Sequence, residues 1–421
     1  MPGLHAPPSP HPFFASHEQR VALARRRFFE EGIRPSGMVS EDVIQSWMRC
    51  LRQSPDPSRP AVFEPVTRSR VHSALRANRE LIQAAEGELE RLGLTLAGTT
   101  STAMLTDARG VIIGSTFHAA RSHEQIMPVS TRIGVNLSED AVGTTAPGLA
   151  VRSGQPSVVT GPEHFFGNVH TMHCAAAPIR GVDGQLAGVL DLSSEGVGFG
   201  YDAASVVSHY AAEIENRLLR AQSLDHLLVR LHITPMGLDS PQAGWLGVTG
   251  DGHIDWMNAA AARLLGLPVP MGAKPGVAVE PCLGLPLAGL LGLTGHDQPQ
   301  PVQLPSGLRV WLHCGWPERR SAEGQRLHAV PERRADAVPA TPNEPAAPAE
   351  RAEAPDTAHT AVHTTAPDPA PQPLRESEHQ AIVRALAACG GNVSRAARQL
   401  GISRGRVYRH LQRDGAEGPP G

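Results

Sequence analysis

Arginine side chains cluster near the end of this chain in a pattern that suits nucleic-acid binding. Residues 374–415 hold eight arginines against three acidic residues, whereas the whole chain carries a formal net charge of −3. A guanidinium group can donate to both acceptors of a guanine edge or to a phosphate, so a local cluster of this kind predicts contact with DNA. The positions expected to face the DNA are Arg404, Arg406, Arg409, His410 and Arg413.

Three short helices are predicted to carry this cluster. The first ends at two glycines, the second (393–400) begins after the N-cap Asn392, and the third (404–413) begins after the N-cap Ser403. Two helices joined by a tight glycine turn have the geometry that places the last helix in the major groove. The remaining residues predicted at this interface are Asn392, Ser394, Arg395, Ser403 and Tyr408.

The segment GGNVSRAARQLGISRGRVYRHLQ resembles the Fis-type module at the C-terminus of many bacterial enhancer-binding regulators. The resemblance implies a three-helix, sequence-specific DNA-binding domain over 374–415. Gly405 and Arg406 stand where that family usually has two small hydroxyl residues, so a base preference does not carry over. Because one such unit contacts few bases, we expect a homodimer on double-stranded DNA.

Histidine and cysteine side chains form a second group with chemical potential. His164, His170, His173 and Cys174 are of the types that bind zinc or haem, but no tight pair such as CxxC accompanies them. We therefore predict no metal, haem, covalent chromophore or other cofactor here. A small-molecule pocket is the favoured interpretation, and its candidate contacts are Glu139, Thr144, Glu163, His164, Phe165, His173 and Cys174.

Three of these candidates also have a purely structural interpretation. Glu139 could pair with an arginine, Thr144 could cap a helix, and Phe165 could belong to the hydrophobic core. The sequence alone leaves both interpretations open for each of them.

The run GVNLSEDAVGTTAPGLAVRSGQPSVVTGPEHF, with the later CAAAPIRGVDGQLAGVLDLS, resembles the GAF domain of acetoin-catabolism-type activators, the AcoR group. Upstream, Ser46-Trp-Met-Arg-Cys50 resembles the SWxRC element of that group, and residues 245–267 resemble the PAS-like segment that follows its GAF domain. The resemblance implies a ligand cavity between a sheet and its covering helices or loops. It also implies an unidentified small-molecule effector.

The elements that must position these residues follow from hydrophobic periodicity. Residues 69–97 and 202–231 show apolar spacing typical of helices, whereas 103–114 and 174–192 each show strand, turn and strand. Residues 155–160 add a strand. Helices around hairpins predict an α+β fold rather than repeated βαβ units.

A second, smaller unit is predicted to begin near Ala243. Residues 245–248 and 254–257 have the pattern of paired strands, 258–265 that of a helix, and 308–314 that of a closing strand. Residues 331–373 hold ten prolines and no aromatic residue, which indicates a segment that cannot bury enough apolar surface to fold.

The whole chain is therefore expected to be a multidomain α+β protein. The predicted parts are a disordered tail (1–17), an N-terminal helical region (18–84), a GAF-like sensor domain (85–232), a PAS-like domain (243–316), a disordered Pro/Ala-rich linker (317–373) and an all-α Fis-type helix-turn-helix domain (374–415).

Composition bears on the compartment. The five cysteines are scattered and odd in number, the first residues lack a basic region followed by an apolar one, and no apolar run is long enough to cross a membrane. We expect a reduced, cytoplasmic protein without a membrane partner.

Enhancer-binding relatives usually hold an ATPase domain, which needs a phosphate-binding loop with Gly-Lys-Ser/Thr. The sole lysine of this chain, Lys274, lies in Ala-Lys-Pro, and no esterase, zinc-protease, dinucleotide-binding or EF-hand motif occurs in context. We therefore predict a regulator without ATPase or other enzyme activity. The alternative is a signalling adaptor that associates with a full-length sigma-54-dependent activator or with RNA polymerase.

Overall fold

The computed structural model describes residues 16–54, 56–116, 124–317 and 399–400. Gln399 and Leu400 are helical, in agreement with the second predicted helix of the C-terminal module. The predicted linker after residue 317 and every residue predicted to contact DNA lie outside the described residues.

The first folded unit is an antiparallel sheet of five strands between two groups of helices. Its strands are β1 (Thr102–Asp107), β2 (Ile112–Ser115), β3 (Ser157–Thr160), β4 (Met172–Arg180) and β5 (Leu186–Glu195). They are ordered β2-β1-β5-β4-β3 across the sheet. The predicted hairpins of residues 103–114 and 174–192 are thus confirmed as β1–β2 and β4–β5.

Each face of this sheet is covered by its own helices. One face carries α1 (His17–Arg25), α2 (Glu41–Gln53), α5 (Met127–Ser130), α6 (Glu139–Val142) and α7 (Ala146–Ser153). The opposite face carries α3 (Arg68–Ala77), α4 (Arg79–Leu96) and α8 (Ala203–Ala221).

Helix α2 forms because its start and its buried face are both encoded locally. Ser40 caps it by accepting a hydrogen bond from the backbone N–H of Val43. Val43, Trp47 and Cys50 recur at helical spacing and are buried against the first sheet's covering loops.

The second unit is an antiparallel sheet of six strands. The strands are β6 (Leu227–His232), β7 (Gly244–Val248), β8 (His253–Met257), β9 (Val277–Ala278), β10 (Gln300–Gln303) and β11 (Arg309–Gly315). Their order is β10-β11-β6-β7-β8-β9. The helices of this unit are α9 (Ala259–Leu265), α10 (Val279–Leu283) and α11 (Leu287–Leu293).

Two helix predictions need correction. The segment 69–97 forms two helices, which are interrupted at Asn78. The side-chain amide of Asn78 donates to the carbonyl oxygen of Ala74 at 2.8 Å, and this bond competes with the backbone hydrogen bonds of a continuous helix. The segment 202–231 is helical only to Ala221, and its last residues form β6. The second unit therefore begins with β6 and not near Ala243.

Helix α8 contacts the second unit as well as the first sheet. Asn216 on α8 donates to the carbonyl of Pro241 at 3.1 Å and accepts from the side-chain amide of Asn258 at 2.8 Å. At the β4–β5 turn, the backbone N–H of Gly272 donates to the carbonyl of Gly184 at 2.9 Å. Among the described helices, none has the length and apolar character needed to cross a membrane.

Candidate functional site

Helix α2 docks on loops that cover the first sheet through the side chains of its SWxRC element (residues 46–50). Ser46 Oγ lies 2.7 Å from Thr144 Oγ1, and Trp47 Nε1 donates to the carbonyl oxygen of Glu163 at 2.8 Å. All four of these residues are buried. The element therefore fixes α2 to two segments that the sequence had assigned to a ligand pocket.

Arg49 and Glu139 form a bidentate ion pair between α2 and α6. Arg49 Nε and Nη2 donate to the two carboxylate oxygens of Glu139 at 2.6 and 2.7 Å. The Glu139 side chain is 6% exposed, and the hydrogen bonds to it raise the pKa of Arg49. The structural interpretation of Glu139, pairing with an arginine, is the one that the geometry shows.

Thr144 does not cap a helix. Its hydroxyl group faces Ser46, whereas the N-cap of α7 is Thr145, whose Oγ1 accepts from the backbone N–H of Gly148 at 3.1 Å. The N-cap of α7 is therefore Thr145, one residue after the Thr144 considered from the sequence.

Arg25 on α1 holds the loop that contains the next candidates. Its guanidinium group donates to the carbonyl oxygens of Pro162, His164 and Phe165 at 3.0, 2.8 and 3.1 Å. Burial lowers the pKa of Arg25 to about 10. One side chain therefore satisfies three carbonyl groups, one in the short 3-10 helix Gly161–Glu163 and two in the loop that follows it.

Glu163 forms a local hydrogen bond at the start of this segment. Its carboxylate accepts from the backbone N–H of Thr160 at 2.9 Å, and burial raises its pKa to about 7. Phe165 is fully buried and packs edge-on against Phe29 and Phe166, with ring centroids 5.7 and 4.9 Å away. Phe165 thus lies in the hydrophobic core, as its structural interpretation supposed.

His164 and Cys174 meet behind the loop. His164 Nε2 lies 3.6 Å from Cys174 Sγ, and burial lowers the pKa of His164 to about 4. Burial also lowers the pKa of His173, and raises that of the Cys174 thiol far above its ordinary range. Within the described residues, no group of three histidine, cysteine or acidic side chains is placed to hold a metal ion.

The two faces of the first sheet bury different kinds of side chains. The face under α4 and α8 buries mainly apolar side chains, among them Leu105, Ala175, Leu190 and Leu192, while its buried polar residues, Asp107 and Ser194, lie near the ends of β1 and β5. The face under α2 and α7 buries polar ones near its centre. These polar residues, none more than 5% exposed, are Thr102, Thr106, Cys174, Asp191 and Ser193.

Asp191 and Ser193 extend the contact between His164 and Cys174 across this polar face. Ser193 Oγ lies 2.7 Å from Asp191 Oδ2 and 3.1 Å from Cys174 Sγ. Asp191 is 0% exposed, and burial raises its pKa to about 7. Neither residue was among the predicted site residues, although an aspartate inside the otherwise apolar run LAGVLDL is a signal that could have identified Asp191.

The chain matches two families along separate stretches. Residues 17–198 match the MimR N-terminal domain, and residues 373–413 match the bacterial regulatory proteins of the Fis family. Over these stretches the chain is similar to AcoR/MimR-type transcriptional activators. Its Fis-family helix-turn-helix is a DNA-binding module, as the sequence analysis predicted.

Individual homologues are matched over part of their length. The acetoin catabolism regulatory protein of Cupriavidus necator is 30% identical over 275 residues, which cover 62% of this chain and 40% of that protein. The acetoin dehydrogenase operon activator AcoR of Bacillus subtilis is 28% identical over 177 residues, which cover 41% of this chain and 28% of AcoR. The chain thus spans well under half the length of these relatives.

One solved structure resembles the chain over a wide range. It is the complex of the N-terminal part of E. coli DhaR with DhaL, at a TM-score of 0.41 and 18% identity. The match covers 66% of this chain and all of that chain.

Proposed function

We propose that this chain is an effector-controlled transcriptional regulator that binds DNA as a homodimer. The Fis-family match over 373–413 and the regulatory roles of the homologues support the DNA-binding part. In this proposal a small molecule binds in the domain of residues 17–198 and so controls the DNA-binding module.

The polar face of the first sheet is the observation that carries the sensor part. A buried carboxyl group on a sheet lowers stability, since an apolar residue of similar size would avoid its desolvation. On the opposite face, the central positions of the same strands are apolar, and the buried polar residues Asp107 and Ser194 lie near strand ends. Polar groups that stability does not require are typical of ligand sites.

The homologues' names support an effector of small size. Two of them are named for acetoin, a small organic molecule. Of the seven ligand contacts predicted from the sequence, Cys174 lies on this face and is in contact with His164, while Glu139, Thr144 and Glu163 contact α2. We propose that these five residues surround the site.

We further propose that the chain acts without ATP hydrolysis. A phosphate-binding loop needs a lysine that reaches the β- and γ-phosphates. The sole lysine, Lys274, instead donates to Asp255 Oδ2 at 2.7 Å. The DNA-binding module is then the output that the sensor controls.

Gel-shift titrations against the DNA that flanks the chain's own gene test this function. We expect selective, salt-sensitive binding, and we expect Arg406→Ala and Arg409→Ala each to weaken it by about 1–3 kcal/mol if they contact bases. Arg351→Ala, in the predicted linker, is the matched control and should leave binding unchanged. Binding without sequence selectivity, or equal loss in the control, would contradict the proposal.

A further inference from the structure

One face of the second sheet is packed under helices, whereas the other is only partly covered. On the inner face, Val310, Leu312 and Cys314 of β11 are buried in a cluster with residues of α9, α10 and α11. On the outer face, Trp245 of β7 and Trp256 of β8 pack against the end of α8. The outer cover therefore lies over the β7–β8 side of this sheet.

The outward side chains of β10 and β11 lie beyond this cover. Pro301 of β10 is paired with Trp311 of β11, and His313 of β11 is paired with Arg230 of β6. Pro301 is exposed, and Trp311 and His313 are partly exposed. Because an indole ring is a large apolar group, this side of the sheet leaves apolar area in contact with water.

The short 3-10 helix Pro235–Asp239 lies against the same side of the sheet. Asp239 accepts a hydrogen bond from Arg230 Nη1 at 2.7 Å, and a methyl group added at Gly237 would overlap the ring of His232. Arg230 and His232 face outward, because they alternate along β6 with the buried residues of the inner face. The 3-10 helix therefore covers the end of β6 on the outer face.

Met236 on this 3-10 helix points into water. Its side chain is 90% exposed, the largest fraction among the large hydrophobic side chains that the structure describes. The 3-10 helix also contacts β11, where Trp311 is paired with His232, so Met236 lies at the rim of the surface around Trp311. We call this surface the β11 patch, and define it as Met236, Pro301, Arg309, Trp311 and His313.

The composition of the β11 patch is that of a protein interface. Tryptophan, methionine and arginine are enriched in such interfaces, whereas lysine, glutamate and aspartate are depleted. The patch contains the first three residue types and none of the last three. Exposed apolar side chains that lie together, rather than singly, mark a contact surface.

The course of the chain after β11 indicates which partner covers the patch. β11 is the last strand that the structure describes, and residues 318–372 connect it to the Fis-family match at 373–413. A flexible linker of that length would span about 40 Å. The two half-sites of a dimeric operator lie about 34 Å apart. Two copies that share an interface at β11 could therefore place both DNA-binding modules on neighbouring half-sites.

We propose that the β11 patch is the homodimer interface and that its occupant is the same patch of a second copy of this chain. The proposal rests on the DNA-binding homodimer of the proposed function and adds the surface that forms it. A two-fold dimer uses one surface twice, so a patch with an apolar centre can face itself. Both linkers then leave from strands that belong to the interface.

The reactivity of Met236 tests where the dimer forms. Hydrogen peroxide oxidises accessible methionines to the sulfoxide, and mass spectrometry of the full chain measures the initial rate at each residue. We expect Met236 to react at least about threefold more slowly above the dimer dissociation constant, measured by sedimentation, than below it. Met271, which is 55% exposed and lies outside the patch, is the matched control and should react equally at both concentrations.

Equal rates for Met236 at the two concentrations overturn the proposal. Fast oxidation at both would show that the dimer leaves the patch open. Slow oxidation at both would show that the patch is covered within one chain.

A charge placed in the patch gives a second test. Met236→Glu would bring two carboxylates together in a two-fold contact, and we expect the dimer dissociation constant to rise at least about tenfold. Because Met236 is exposed, the unfolding midpoint should not change. Leu94→Glu, at a 79% exposed position of α4, is the matched control and should dimerise like the wild type. Weaker dimerisation of Leu94→Glu alone would move the interface to α4 and overturn the proposal.

Sedimentation and gel shifts together separate this interface from the function on which it rests. A wild-type chain that stays monomeric at every concentration overturns both the interface and the homodimer, even where it binds DNA selectively. A wild-type dimer that binds its operator while Met236 stays reactive overturns the interface alone.

Discussion

Arg49 and Glu139 illustrate how a recognisable residue acquires its partner. The SWxRC element can be identified from sequence because its residues are consecutive on α2. Glu139 lies 90 positions further along the chain, and no local periodicity connects the two. The pair exists only because α2 and α6 cover the same face of the sheet, which is a tertiary contact that a single sequence does not encode in readable form.

We expect Arg49→Ala to lower the free energy of unfolding by about 2–4 kcal/mol, because the nearly buried Glu139 side chain would lose the partner of both its oxygens. Urea denaturation of the full chain measures the change. The matched control is Arg34→Ala, which breaks the exposed pair of Arg34 with Glu41 and should change the stability far less. Equal losses of stability in the two variants would contradict the stabilising role of the Arg49–Glu139 pair.

Some site residues can be recognised from their residue type alone, whereas others depend on contacts between strands. Cys174 and the loop around His164 stand out from sequence because of their residue types. Their pairing with Ser193 and Asp191 depends on the register of β4 against β5, which sets Cys174 opposite Ser193. That register was not part of the prediction, so the polar face emerged only from the structure.

At the scale of elements, β6 shows where hydrophobic periodicity fails. Residues 227–231 read Leu-Leu-Val-Arg-Leu and are separated from the end of α8 by five residues, and the apolar spacing of the helix continues into them. In the structure they form a central strand between β7 and β11, buried on both faces except for Arg230. A short run in which nearly every residue is apolar fits a buried strand and a buried helix equally well. Only the neighbouring strands that pair with it distinguish the two.

The β4–β5 turn and the loop that follows α9 join the two folded units. Gly184 accepts from the N–H of Gly272, and Gln185 donates to the carbonyl of Gly272 at 3.0 Å. Arg180, at the end of β4, donates to the carbonyl of Gly154 at the end of α7. The end of α7 and this seam between the units are therefore connected through β4.

We expect Gly184→Ala to destabilise the chain and to loosen this seam, because φ is +72° at Gly184 and an added methyl group would lie 2.9 Å from the carbonyl oxygen of Ala273. Gly266→Ala is the matched control, since φ is +67° there and nothing lies within 4 Å. The control should cost about 1 kcal/mol from backbone strain alone. Hydrogen exchange followed by mass spectrometry should show faster exchange in residues 270–274 for Gly184→Ala only; equal exchange in both variants would contradict the role of the turn.

At the scale of the whole molecule, α8 belongs to both folded units. Its apolar side packs on the first sheet, with Val207, Ile214 and Leu218 buried. Near its end, the Arg220 guanidinium lies 4.9 Å from the ring centroid of Trp245 in the second unit. Because α8 packs against both units, a displacement of helices on the first sheet can be transmitted to the second unit.

We expect the bound protein to protect two half-sites on one face of the DNA, about 10 base pairs or 34 Å apart, because a homodimer presents two recognition helices related by a two-fold axis. DNase footprinting on the operator found by gel shift measures this spacing. Protection of a single half-site at saturating protein would contradict the dimer.

The way α2 is incorporated has a consequence for how such sensors can be exchanged between proteins. Val43, Ile44 and Trp47 share one hydrophobic cluster with Phe165 and Cys174, although the two groups lie more than a hundred positions apart in the chain. The family match accordingly begins at residue 17, where α1 begins. A recombination or cloning cut made just before α4 would separate the two halves of that cluster and expose its apolar surface to water. The smallest portion that can be inherited or transplanted intact therefore starts ahead of α1.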